Sequence, residues 1–227
     1  MTPAKIHMLE KHEVQVPPLG LPGTLCIPSK AKALIIFAHG SGSSRLSPRN
    51  RAVAESLNER GMATLLFDLL TPAEEANRAN VFDIPLLARR VAGAVEWAER
   101  DARTHRLHIG LFGASTGAAA ALVAAARLGG RVKAVVSRGG RPDLAGDALD
   151  QIHTPSLLIV GGADYGVIEL NEEAFARLKG PKALEIVPGA SHLFPEPGAL
   201  ETVIELAAKW FESHLGAAPE SAAAQGF

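Results

Sequence analysis

The chain has 227 residues, enough for one well-cored domain and the usual organisation of an α/β chain of this size. Apolar residues make up 47% and charged ones 21%, with 23 basic against 24 acidic side chains, so it shows neither a disorder signature nor the basic footprint of a nucleic-acid binder. Its one cysteine, Cys26, cannot form an internal disulfide, and the start MTPAKIHMLEKHEVQV lacks a signal peptide's apolar run. No segment reaches the roughly 18 apolar residues of a membrane span; the expectation is a cytoplasmic protein with no membrane or nucleic-acid partner.

In chain order, His12–Val16 and Gly23–Ile27, separated by Pro17, Pro18 and Gly20, read as two antiparallel edge strands. The apolar runs Leu34–Ala38 and Ala63–Phe67 follow, with a helix between them over Ser47–Gly61. Ser47 is its N-cap, Pro48 its first residue, Gly61 its stop, and Val53 and Leu57 lie on its apolar face. From Asp83 to Asp101, the residues Leu87, Val91, Ala94, Val95 and Ala98 make one helical stripe. A strand at Leu107–Phe112 leads into the alanine-rich segment Thr116–Leu128, which has almost no polar face and so predicts a helix buried against a sheet. Further apolar runs fall at Ala134–Val136, Leu157–Val160 and Leu184–Val187, and Leu200, Val203, Ile204, Ala207, Trp210 and Phe211 form a last amphipathic stripe. Apolarity that is continuous rather than alternating suits strands covered on both faces. The reading is a doubly wound α/β domain over residues 1–215, a mostly parallel sheet of about eight strands with helices on both faces. Gly216–Phe227, rich in alanine and small residues, is expected to be a flexible tail.

The strongest local signal is Gly113-Ala114-Ser115-Thr116-Gly117, a G-x-S-x-G pentapeptide between a strand and a helix. A serine on so sharp a turn has an exposed hydroxyl, and the flanking glycines remove side chains that would collide there. The turn aims the Thr116 amide and the positive end of the next helix at charge developing on an attacked carbonyl. In this arrangement an acid and then a histidine follow the serine. Asp164 comes after Leu157–Val160 through Gly161-Gly162-Ala163, and His192 after Leu184–Val187 through Pro188-Gly189-Ala190-Ser191, each just past the carboxyl end of a strand. Asp68 and Asp143 also follow strand-like runs and compete for the acid's role; order and spacing favour Asp164.

The first long strand runs into His39-Gly40-Ser41-Gly42-Ser43-Ser44, a small-residue loop whose backbone can approach a substrate. The second oxyanion donor is placed at the Ser41 amide, with Gly42 next. His39 reads as structural, bonded to nearby loop backbone, rather than as a second base. No histidines stand at metal-ligand spacing and no stretch matches a phosphate-cradling motif, so neither metal nor nucleotide cofactor is expected. Arg138 follows Ala134–Val136 on the rim of Ser115, Arg45 lies in the oxyanion loop and Arg141 is close by. All three are open to two readings: holding an anionic group of the substrate, or pairing with neighbouring carbonyls and aspartates.

With these residues assembled, the chain resembles the α/β-hydrolase superfamily, and most closely its dienelactone-hydrolase-like branch of small, lidless enzymes. The segments that carry the resemblance are FAHGSGSSRLSPRNR (Phe37–Arg51), LFGASTGAAAAL (Leu111–Leu122), VVSRGGRPDL (Val135–Leu144), LLIVGGAD (Leu157–Asp164) and VPGASHLF (Val187–Phe194). They are similar to a bacterial group of hydrolases, some fused to phosphoribosyltransferase domains, and no such domain is expected within these residues. Dienelactone hydrolases proper use a cysteine nucleophile where this elbow carries Ser115, so the resemblance implies serine esterase chemistry on a small ester rather than lactone specificity. Only about 15 residues separate Gly140 from the strand near Ser156, too few for an inserted cap domain, and an open site is expected. The rival readings are an acyltransferase or perhydrolase with the same triad, and a binding protein on a hydrolase scaffold.

Overall fold

The computed structural model describes residues 8–216. They form an eight-stranded sheet with the spatial order β1-β2-β4-β3-β5-β6-β7-β8. The strands are β1 (Leu9–Val16), β2 (Leu21–Pro28), β3 (Ala33–Ala38), β4 (Ala63–Phe67), β5 (His108–Ala114), β6 (Val132–Arg138), β7 (Ser156–Gly161) and β8 (Lys182–Val187). β1 pairs antiparallel with β2, and β2 antiparallel with β4; all other pairings are parallel. This is the mostly parallel sheet of about eight strands expected from the apolar runs, and it has the α/β-hydrolase architecture that the resemblance implies. The expected tail lies outside the described residues except for Gly216.

Continuous apolarity identifies the central strands because both of their faces are covered. In β3, Leu34 and Ile36 pack with one layer, and Ile35 and Phe37 with the other. The first layer holds the helices α4 (Ile84–Ala98) and α5 (Thr116–Leu128), together with Ala174 of α6 (Val167–Arg177); the second holds α1 (Pro48–Glu59) and α7 (Ala199–Leu215). α5 buries every residue from Thr116 to Ala125, as its missing polar face required. Leu57, Val91 and Phe211 are fully buried, and truncating Leu57 or Phe211 to alanine costs about 2–5 kcal/mol.

Local chemistry sets the helix ends. The Ser47 hydroxyl accepts from the Asn50 amide at the start of α1, and the Asp83 carboxylate accepts from the Leu86 amide at the start of α4. Two four-residue helices, α2 (Pro72–Glu75) and α3 (Arg78–Val81), lie in the β4–α4 connection. The β6–β7 connection is a 3-10 segment, Pro142–Gln151, kinked at Gly146, and no cap domain interrupts it. β8 differs from the expectation of a fully covered strand: it has one neighbour in the sheet, and Glu185 and Ile186 are exposed. No helix among the described residues is long and apolar enough to cross a membrane.

The chain runs from β3 through α1 to β4 on one side, then crosses back to β5 on the other. The carboxyl ends of β3 and β5 therefore adjoin at a reversal of strand order, where open α/β sheets bind ligands.

Candidate active site

Ser115 sits between the last residue of β5 and the first of α5 with φ 51° and ψ −125°, a strained conformation for a residue with a side chain. Close packing enforces the turn. A Cβ on Gly113 would lie 2.4 Å from Ala118 Cα, and one on Gly117 would lie 2.2 Å from the Ala38 carbonyl oxygen, so neither position tolerates a side chain. The elbow is tied to β6 as the Ser115 amide donates to the Arg138 carbonyl at 3.3 Å, and the Arg141 amide donates to the Ser115 carbonyl at 3.1 Å.

The loops after β7 and β8 bring the other two groups to the serine. They are stitched together: the Gly162 amide donates to Val187 O and the Ala163 amide to Ala190 O. His192 Nδ1 lies 2.7 Å from Asp164 Oδ2, and His192 Nε2 lies 3.4 Å from Ser115 Oγ. The carboxylate fixes the hydrogen on Nδ1, leaving Nε2 to face the hydroxyl. At 3.4 Å this contact is longer than the ~2.6–3.2 Å of an engaged base, as resting sites often are. Nearby, buried Phe194 anchors the histidine loop, and the Ser191 hydroxyl donates to Glu196 Oε1 at 2.5 Å, a bond that holds the Glu196 carboxyl below its ordinary range.

The rival acids are spent elsewhere. Asp68 accepts from both the amide and the guanidinium of Arg45, each at 2.7 Å, and Asp143 accepts two bonds from Arg141. Of the two readings open for Arg45, the structure shows the pairing with an aspartate: Asp68 takes its guanidinium, and the contacts tie the loop after β3 to the end of β4. Arg141 is likewise paired. His39 is structural, with Nδ1 donating to Gly40 O and Nε2 accepting from the Leu69 amide; burial lowers its pKa and keeps the ring neutral.

A cleft of about 670 Å³ joins the elbow to residues 40–44 of the loop after β3, and Ser115, His192, Arg138, Arg49, Asn50 and Glu75 are among its lining residues. Thr116 opens α5, where an amide has no acceptor within the helix. The Ser41 amide is not free, because it donates to the Thr116 hydroxyl at 2.9 Å; the two residues expected to hold an oxyanion are bonded to each other. Gly42 has φ +66° with open space around it, and its amide has no acceptor among the described residues. Arg138 is buried and donates to Asn50 Oδ1 at 3.0 Å. Sequence reasoning missed Arg49 and Asn50. The signal was present: α1 opens with Pro-Arg-Asn-Arg and no acid in its first turn, although the positive end of a helix favours acidic residues there.

The family model for the dienelactone hydrolase family matches residues 21–215. A solved structure of a dienelactone hydrolase from Anabaena variabilis is 53% identical, covers 92% of this chain and 99% of its own, and superposes with a TM-score of 0.87. Est1E from Butyrivibrio proteoclasticus is 19% identical over 91% of this chain and 99% of its own, with a TM-score of 0.76, and shares the fold. Two relatives from Mycobacterium tuberculosis, strains CDC 1551 and H37Rv, are 58% identical over 209 residues and bear a provisional phosphoribosyl transferase name. The match covers 91% of this chain and 47% of theirs, so the chain spans about half the length of those relatives. The chain belongs to the dienelactone hydrolase family.

Proposed function

We propose that the protein is a serine hydrolase of small carboxylic esters working through an acyl-enzyme. The observation that carries this reading is the continuous array Ser115 Oγ, His192 Nε2, His192 Nδ1 and Asp164 Oδ2, with contacts of 3.4 and 2.7 Å, at the mouth of an open cleft. Ser115 Oγ attacks the ester carbonyl carbon as its proton passes to His192 Nε2. The carbon–oxygen bond to the alcohol then breaks as that proton reaches the leaving oxygen. Water enters by the reverse path, with His192 as base, and releases the acid and the free serine. Asp164 holds the imidazole orientation and stabilises its charged form.

The Thr116 amide and a loop amide stabilise the oxyanion. Ser41 becomes that second donor when its amide turns from the Thr116 hydroxyl to the developing charge; Gly42 is the adjacent alternative. The phosphoribosyl transferase name of the M. tuberculosis relatives describes proteins about twice this long. The part of this chain they match is largely the part that matches the dienelactone hydrolase family, so the name gives no reason to place that chemistry in this cleft.

The test is a fluorophosphonate probe followed by peptide mapping. A single adduct on Ser115, absent after heat denaturation, is the expected result; a folded protein left unlabelled while hydrolysing esters would overturn the reading.

A further inference from the structure

Helix α6 starts just after the acid, Asp164, whose backbone carbonyl accepts from the Val167 and Ile168 amides at 3.1 and 3.3 Å. Of its residues only Asn171 and Ala174 are buried, and Asn171 is wholly out of solvent. An asparagine is unfavoured in a helix interior and costly to bury. Its Nδ2 donates to the Val167 carbonyl at 2.8 Å within the helix and to the Gly140 carbonyl at 3.1 Å across the fold, while its Oδ1 is buried without a donor. Two carbonyl oxygens facing one nitrogen settle which end of the amide points at them. An apolar side chain here would avoid the orphaned oxygen but would lose the tie to Gly140.

Gly140 is the middle of a turn that meets both the nucleophile and the base. The Gly139 amide donates to the Ile159 carbonyl of β7 at 2.8 Å, and the Arg141 amide donates to the Ser115 carbonyl at 3.1 Å. Gly139, at φ +50°, lies so close to the base that a Cβ there would be 2.7 Å from the His192 carbonyl oxygen. Gly140 is pressed as hard on its other side, where a Cβ would lie 2.0 Å from Ser137 Oγ and 2.7 Å from Ala118 Cβ. The turn is thus packed immovably against the elbow and the histidine loop, and the Asn171 amide, roughly two helical turns beyond Asp164, ties α6 to it.

We propose that Asn171 is a positioning residue for the triad. Its bond to Gly140 O sets the acid-bearing start of α6 against the turn that holds Ser115 and abuts His192, and so keeps Asp164 Oδ2 at its 2.7 Å contact with His192 Nδ1. Asn171 touches no substrate, and no proton passes through it. The inference rests on the ester-hydrolase reading and adds to it a residue outside the cleft. The opposing account makes Asn171 a strut whose loss lowers stability and nothing else.

The experiment crosses Asn171→Ser with Asp164→Asn in a double-mutant cycle. A serine hydroxyl at this place can keep the bond to the carbonyl four residues back and is too short to reach Gly140. Per folded molecule, with the folded fraction read by circular dichroism, Asn171→Ser should lower kcat for 4-nitrophenyl acetate at least about tenfold with KM changed less than about twofold. Fluorophosphonate labelling of Ser115 should slow by a similar factor. In the Asp164→Asn background, where no carboxylate is left to place, the same change should slow labelling less than about twofold. Asn171→Leu, which fills the space but donates nothing, should behave alike, and it carries the test where the serine variant fails to fold. An unchanged kcat per folded molecule beside a lower melting temperature overturns the positioning role and leaves Asn171 a strut. An equal loss in both backgrounds also overturns it, because the effect would then bypass the acid. A parent that neither labels at Ser115 nor hydrolyses the ester overturns the hydrolase reading itself.

Discussion

His39 and His192 both follow a strand at the same end of the sheet, both have two engaged ring nitrogens, and they differ in every consequence. His39 is bonded on both sides to backbone, to Gly40 O and from the Leu69 amide, and is buried and held neutral. His192 lies between a carboxylate and a hydroxyl with its side chain 35% exposed to the cleft. A ring between two backbone groups is a fixed brace. A ring whose Nδ1 faces a carboxylate can take up a proton at Nε2, because the charge it gains already has a counter-ion. Strand-end position nominates a histidine, and the partners decide what it does.

The largest effect that sharpens this contrast is His192→Ala, expected to lower kcat for a 4-nitrophenyl ester by about 10⁵-fold or more, as losses of a triad base do. His39→Gln should keep kcat per folded molecule within about tenfold, measured by active-site titration, because it removes a brace rather than a base. Equal losses in the two variants would break the comparison. Next is Asp164→Asn, expected to cost about 10³–10⁴-fold while Asp68→Asn and Asp143→Asn cost far less. If Asp143→Asn is the damaging change, the acid has been misassigned. Thr116→Val keeps the backbone donor but removes the hydroxyl that places the Ser41 amide beside the elbow, within a small turn of the developing charge, so the second donor is left unpositioned and a fall of about tenfold in kcat with little change in KM is expected.

The smallest effect is on stability. His39 is held below its ordinary pKa by burial, so as pH falls through about 6.5 the unfolded chain takes up a proton that the folded chain refuses. Stability tied to this residue is full above that pH and is lost as pH falls, with a slope of up to about 1.4 kcal/mol per pH unit. Urea denaturation of the parent between pH 7.5 and pH 5 should show a steeper decline than His39→Gln. Parallel declines would mean that His39 is not held neutral.

Much of this was legible because it depends on local chemistry. The G-x-S-x-G turn, the small residues before Asp164 and His192, and the continuous apolarity of β3, β4 and β7 are all properties of a few adjacent residues. Pairings across the fold were not legible. Arg45 meets Asp68 because the loop after β3 folds over the end of β4, and the Ser41 amide meets the Thr116 hydroxyl because β3 and β5 are neighbours; neither contact leaves a mark at short range. Helix α6 escaped a stripe reading because only Asn171 and Ala174 of its residues are buried. Arg138 was placed correctly on the rim, but its lack of an acidic partner became visible only once Arg45 and Arg141 were seen to have theirs.

The proposed chemistry requires Ser115 to carry the acyl group. Its most direct test mixes the enzyme rapidly with 4-nitrophenyl acetate, quenches it in acid during the first turnover, and maps the digested protein by mass spectrometry. One acetyl group is expected on the peptide containing Ser115, appearing with the burst of nitrophenol and absent in Ser115→Ala. Turnover with no acetyl group at Ser115, or with a burst that survives Ser115→Ala, would contradict it.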